Sequence, residues 1–129
     1  MKHLFLSHQL SISAKENGFN ESCICYYERQ RLNEIGNDIL SGVGMLNSDE
    51  KLIKNPYKDF CTAPLYSQIK DWFRDKHNIH IEIYCNASGW GYILTKLNGT
   101  TIKEIEDDIF FEDYYKALNK GIEESFKLI

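Results

Sequence analysis

Hydrophobic and polar positions change period several times along this chain, and the changes mark its elements. Leu65, Ile69, Trp72 and Phe73 recur at helical spacing, with Gln68, Lys70, Asp71, Arg74 and Asp75 covering the remaining surface. Thr62 stands where an N-cap is expected, Pro64 falls just inside the helix start, and His77-Asn78 suits its end. The period then becomes two. Ile79, Ile81, Ile83 and Cys85 point one way while His80, Glu82, Tyr84 and Asn86 point the other, which predicts a half-buried strand. Asn86-Ala87-Ser88-Gly89 is a turn cluster, a second strand follows from Trp90 to Leu97, and Asn98-Gly99 is a tight hairpin signal because both central residues of such a turn need positive φ. Thr100 to Ile105 reads as the returning strand, interrupted by Glu106-Asp107-Asp108. From Phe111 to the C-terminus, Phe111, Tyr114, Leu118, Ile122, Phe126 and Ile129 form one helical face. Glu112 and Asp113 in the first turn and Lys127 in the last suit the helix dipole. Gly121 costs such a helix about 1 kcal/mol relative to alanine, so its presence predicts close packing against a strand.

The first half is less regular. A helix is expected from about Ser7 to Glu16, stopped by Asn17-Gly18, with Gly18 left-handed and Phe19 folding back. Residues 22–28 read as a strand. Leu32 to Leu40 fits either a second strand paired with the first or an irregular segment, since Gly36, Gly42 and Gly44 argue against a helix. Residues 41–60 read as a long loop with turn clusters at Ser41 to Gly44, Asn47 to Glu50 and around Pro56. The chain is thus expected to be a single α+β domain over 1–129, with a small antiparallel sheet, helices packed mainly on one face, and the order α-β-(β)-α-β-β-β-α.

Composition narrows the chemistry. At 129 residues, 43% hydrophobic and 26% charged, the chain is long enough for one sizeable core. The net charge of −4 weighs against a general DNA- or RNA-binding surface but leaves room for a local basic pocket. No apolar run is long enough to span a membrane, and the apolar stretch at Leu4-Phe5-Leu6 is too short for a secretory signal, so a cytoplasmic setting is expected, with the cysteines as free thiols.

No catalytic constellation emerges. Cys23 and Cys25 are separated by one residue, shorter than the usual zinc spacing, and read as small core residues. His77, His80, Cys61 and Cys85 lack a second paired motif. Gly42-Val43-Gly44 lacks the remainder of a dinucleotide fingerprint, and there is neither a nucleophile elbow nor a phosphate loop. Glu104, Glu106, Asp107 and Asp108 read as a solvated acidic edge. No metal or cofactor is implied. The outward face of the hairpin carries more information. If His80, Glu82 and Tyr84 share a face with Trp90 and Tyr92, they form a patch able to stack on planar rings and offer hydrogen bonds. The competing expectation is that this face packs beneath a helix or against a second subunit.

Several runs resemble an uncharacterised small-protein family of phages and prophages of gut Bacteroidetes. They are Cys61-Thr62-Ala63-Pro64, Gln68 to Trp72, His77 to Ile83, Ser88-Gly89-Trp90, Phe111 to Tyr115, Ala117-Leu118 and Gly121-Ile122, with Lys15 to Phe19 closing the opening helix. The resemblance covers most of the chain and is weakest over 41–60. It carries over no catalytic residues. What it implies is a setting in which small accessory proteins act on host processes, some by sequestering nucleotide signals of host defence and others by binding host proteins. In that setting the chain is expected to be a non-enzymatic homo-oligomer that binds a small anionic ligand, such as a cyclic nucleotide or an ADP-ribose-type signal. Tyr84, Trp90 and Tyr92 would stack on the base, His80 would supply a hydrogen bond, and Arg29, Arg31 or Arg74, with Lys58 a further cation, would meet phosphates. The alternatives are a protein–protein interaction module using the same patch and a small hydrolase with its catalytic groups on the long loop.

Overall fold

The computed structural model describes residues 4–23, 25–28, 39–41, 60–96, 99, 101–104 and 110–129. The fold is α+β, with elements in the order α1 (His8–Glu16), β1 (Cys25–Glu28), β2 (Ile39–Ser41), β3 (Phe60–Ala63), α2 (Tyr66–His77), β4 (His80–Asn86), β5 (Gly89–Thr95), β6 (Thr101–Glu104) and α3 (Tyr114–Phe126). The expected order holds with one strand added. The strands form two antiparallel sheets, β2-β1-β3 and β4-β5-β6, where the sequence suggested one. The chain divides into a unit over Met1–Ile69 and a unit over Lys70–Ile129.

In the first unit, Ser7 caps α1 by accepting from the Leu10 N–H, and Gly18 takes φ 92° beyond the helix end. The Phe19 N–H donates back to the Ala14 carbonyl and its ring is buried, as the stop signal predicts. Thr62 does not cap α2. It lies in β3, opposite Tyr26 of β1, and the helix begins later at Tyr66. Burial decides this: Cys61, Thr62 and Ala63 are all buried, so their backbone groups need a ladder rather than a solvated cap. Tyr27 packs with Phe5 and Ala63, and its hydroxyl donates to the Leu6 carbonyl at 2.7 Å. At the start of α2, the Gln68 side chain donates to the Ser22 carbonyl and accepts from the Cys23 thiol.

The second unit is a sheet with helix on one face. Residues opposite one another across a ladder share a face. Register therefore groups Ile81 with Leu94, Ile83 with Tyr92 and Cys85 with Trp90. This face meets α3: Ile81, Tyr92, Leu94, Leu118 and Ile122 are buried, and Gly121 is packed against Ile81 and Tyr92. Trp72 and Phe73 of α2 add edge-on ring contacts, Phe73 reaching Phe126 at 4.9 Å. Asn78 adopts φ 59°, a conformation asparagine tolerates, and the chain turns so that the Ile79 N–H donates to the Phe73 carbonyl. α3 is shorter than its apolar stripe suggests. Asp113 is the N-cap, accepting from the Lys116 N–H at 2.8 Å, while Phe111 forms an antiparallel bridge with Trp90. Among the described residues, no helix is long and apolar enough to cross a membrane.

Candidate binding surfaces

Positions of the proposed ligand residues follow from one hairpin. Asn86 pairs with Gly89, so the connection is the residue pair Ala87-Ser88, tightened by the Ser88 N–H donating to the Asn86 side chain at 2.8 Å. This register sets Tyr84 opposite Gly91, Glu82 opposite Ile93 and His80 opposite Thr95. These residues occupy the face away from α3. His80 and Glu82 are exposed, while Tyr84 and Ile93 are half-buried. Tyr84 lies across Gly91: a Cβ at Gly91 would stand 2.6 Å from Tyr84 Cζ. Its ring also meets Phe110 edge-on, with centroids 6.5 Å apart.

Trp90 and Tyr92 do not join that patch, which corrects the expectation of one shared aromatic face. Tyr92 is only 4% exposed and belongs to the core against Gly121. Trp90 is half-buried on the same side as Tyr92, meeting Tyr114 edge-on at 5.6 Å, and Tyr114 in turn meets Tyr115 at 5.2 Å. His80 and Tyr84 share a face but lie ~13 Å apart along β4 at the usual strand rise. Sequence alone placed Tyr114 on the apolar face of the last helix and did not single out Phe110 or Tyr115 for a site, since a strand pattern passes into a helix pattern there.

The expected cations are not gathered either. Arg74 contacts Asp71 at 3.0 Å and Asp75 at 3.1 Å on its own helix, and its hydrogen bond to Asp75 raises its pKa further. Arg29, Arg31 and Lys58 lie outside the described residues. A different cluster gathers charge on the α3 side. Glu124, with its side chain 8% exposed, accepts from Lys103 at 2.9 Å, Lys127 at 3.1 Å and Lys120 at 3.2 Å. The Lys103 hydrogen bond leads in holding its carboxyl down at about 2, against the effect of burial. This cluster ties β6 to α3.

The two buried thiols are poorly suited to nucleophile chemistry. Burial pushes Cys23 up to about 12 and Cys61 up to about 11, so neither supplies thiolate near neutrality. Cys85 is exposed and free. Among the described residues, no group of three or more His, Cys, Asp or Glu is placed to hold a metal ion. His77 instead packs edge-on against Trp72 at 4.5 Å. No protein-family model, curated protein or solved structure matches the chain.

Proposed function

We propose that this protein is a non-enzymatic binding protein that engages a partner protein through the face of the β4–β6 sheet turned away from α3. The observation that carries this reading is the hairpin register, which puts Tyr84 and Ile93 on that face and His80 and Glu82 beside them. An aromatic and an aliphatic group bordered by exposed polar groups suits contact with another protein. A small ligand calls for a concave site that encloses most of its surface. The resemblance to Bacteroidetes phage proteins supplies a setting, in which the partner is a host protein whose action is blunted. A second reading keeps the nucleotide-like ligand and moves its stacking site to Trp90, Tyr114 and Tyr115, whose half-buried rings lie together at the hairpin end.

Affinity capture from a Bacteroidetes host lysate tests the first reading when wild type is compared with Tyr84→Ala, Glu82→Lys and, as a control on α3, Lys116→Ala. A protein retained by wild type and by Lys116→Ala, but lost by both sheet-face variants, supports it. Capture indifferent to Tyr84 and Glu82 overturns it. Thermal denaturation with cyclic dinucleotides and ADP-ribose tests the second reading, since a ligand bound only by the folded state must raise Tm. A rise abolished by Trp90→Ala replaces the first reading with the second.

A further inference from the structure

The two edges of the β4-β5-β6 sheet are built differently. Natural sheets blunt their edges with short strands, bulges and charged side chains. β6 is so protected: it is four residues long, its pairing with β5 shifts register at Leu94/Thr95, and it carries Lys103. β4 has neither a short length nor a bulge, and among its residues only Glu82 carries a full charge. It is seven residues long, contains no proline, and pairs with β5 without interruption from His80 to Asn86. Its other edge has no strand partner among the described residues.

The direction of its open backbone groups follows from Trp90. Both the N–H and the carbonyl of Trp90 bond to Phe111, at 2.9 and 2.8 Å, so neither bonds to Cys85 opposite. Cys85 and, by alternation, Ile83 and Ile81 therefore turn their N–H and carbonyl groups away from β5. We infer that β4 pairs with β4 of a second copy, antiparallel about a two-fold axis at Ile83, to make one continuous sheet across a homodimer. In that register Ile83 faces Ile83, Ile81 faces Cys85, Glu82 faces Tyr84 and His80 faces Asn86. Apolar groups meet on the helix side, no like charges are opposed, and Ile81, Ile83 and Cys85 all exchange main-chain hydrogen bonds. Two neighbouring registers are poorer. An axis at Glu82 opposes two carboxylates. An axis at Ile81 draws on the Ile79 N–H, which already donates to the Phe73 carbonyl at 3.0 Å. A two-fold contact of this kind is self-complementary and closes without forming a fibre. The inference rests on the edge alone and is independent of which partner or ligand the rest of the molecule binds.

Sedimentation of the full chain and cysteine pairing test it together. Wild type is expected at twice the monomer mass of 15.1 kDa. Ile83→Pro removes a donor that points out of the sheet and is expected to sediment as a monomer with an unchanged circular dichroism spectrum. In a Cys85→Ser background, His80→Cys with Asn86→Cys is expected to form a covalent dimer under mild oxidation, because the pair is adjacent only across the proposed interface. Each single cysteine variant is expected to remain uncrosslinked. If Ile83→Pro does not fold, the cysteine pair still decides. Wild type monomeric at the highest soluble concentration, or a dimer in which the cysteine pair does not crosslink, overturns the proposal.

Discussion

Gly121 of α3 lies directly on the ring-bearing carbon of Tyr92: a Cβ at Gly121 would stand 3.3 Å from Tyr92 Cβ and 3.3 Å from Ile81 Cγ2. Tyr92 and Ile81 are 4% and 1% exposed and sit on paired strands, so neither can give way without moving the sheet. Gly121→Ala gains about 1 kcal/mol of helix propensity and loses about 1–3 kcal/mol to overpacking. A net destabilisation of about 1 kcal/mol is expected, and a larger one for Gly121→Val, measured as a lower urea midpoint with an unchanged slope.

Tyr84 and Gly91 present the opposite case. The atoms a Gly91 Cβ would strike are the far end of the half-buried Tyr84 ring, which can swing toward solvent. Gly91→Ala is therefore expected to cost under about 1 kcal/mol in stability, yet to displace the ring from its edge contact with Phe110. Loss of ring-current shifts at Phe110 in the NMR spectrum checks this. If Tyr84 carries recognition as proposed, Gly91→Ala also reduces partner capture.

Glu124 links stability to acid. Its carboxyl is held at about 2, below its ordinary value of 4.5, chiefly by Lys103. A depressed carboxyl contributes stability that is present above about 4.5 and is lost as pH falls through 4.5 toward 2. The lysines are partly solvated, with side chains 35%, 38% and 60% exposed, and screening reduces the effect. Glu124→Gln is expected to lower stability by about 1–2 kcal/mol at neutral pH. The difference from wild type should shrink steadily below pH 4.5 in denaturant titrations, because protonated wild type then resembles the variant.

Thiol reactivity should rank by environment. Cys85 is exposed, Cys25 is half-buried and raised by burial, and Cys61 and Cys23 are buried and pushed to about 11 and about 12. Labelling with an aromatic disulfide reagent at neutral pH is expected to modify Cys85 first and Cys25 more slowly. Cys23 and Cys61 should react only on unfolding, as read by peptide mass spectrometry.

Much of the second unit was legible in the chain, because its local signals agree. The alternation from Ile79 to Asn86 assigned the residues of β4 to their two faces, although only Ile79 and Ile81 of the inward row are buried while Ile83 is half-buried and Cys85 exposed, and mid-helix Gly121 announced the close strand approach that the structure contains. In the first unit, Ser7 and Gly18 bounded α1 correctly. Thr62 and Pro64 misled because the same residues that suit a helix start also suit the end of a short buried strand; only pairing with β1 distinguishes them.

The face assignment of Trp90 and Tyr92 shows where sequence alone ran out. Alternation gives each strand its own two faces but not the relation between strands, and that relation is set by the turn. With Asn86 paired to Gly89, even-numbered residues of β4 oppose odd-numbered residues of β5, so Tyr84 meets Gly91 while Tyr92 meets Ile83. A one-residue change in register moves every side chain to the other face. By itself the sequence determined the periods of the elements, the bounds of α1 and the two faces of β4. Which aromatic rings keep company was decided only by the pairing of the strands, since hydrogen-bond register is a property of two segments together.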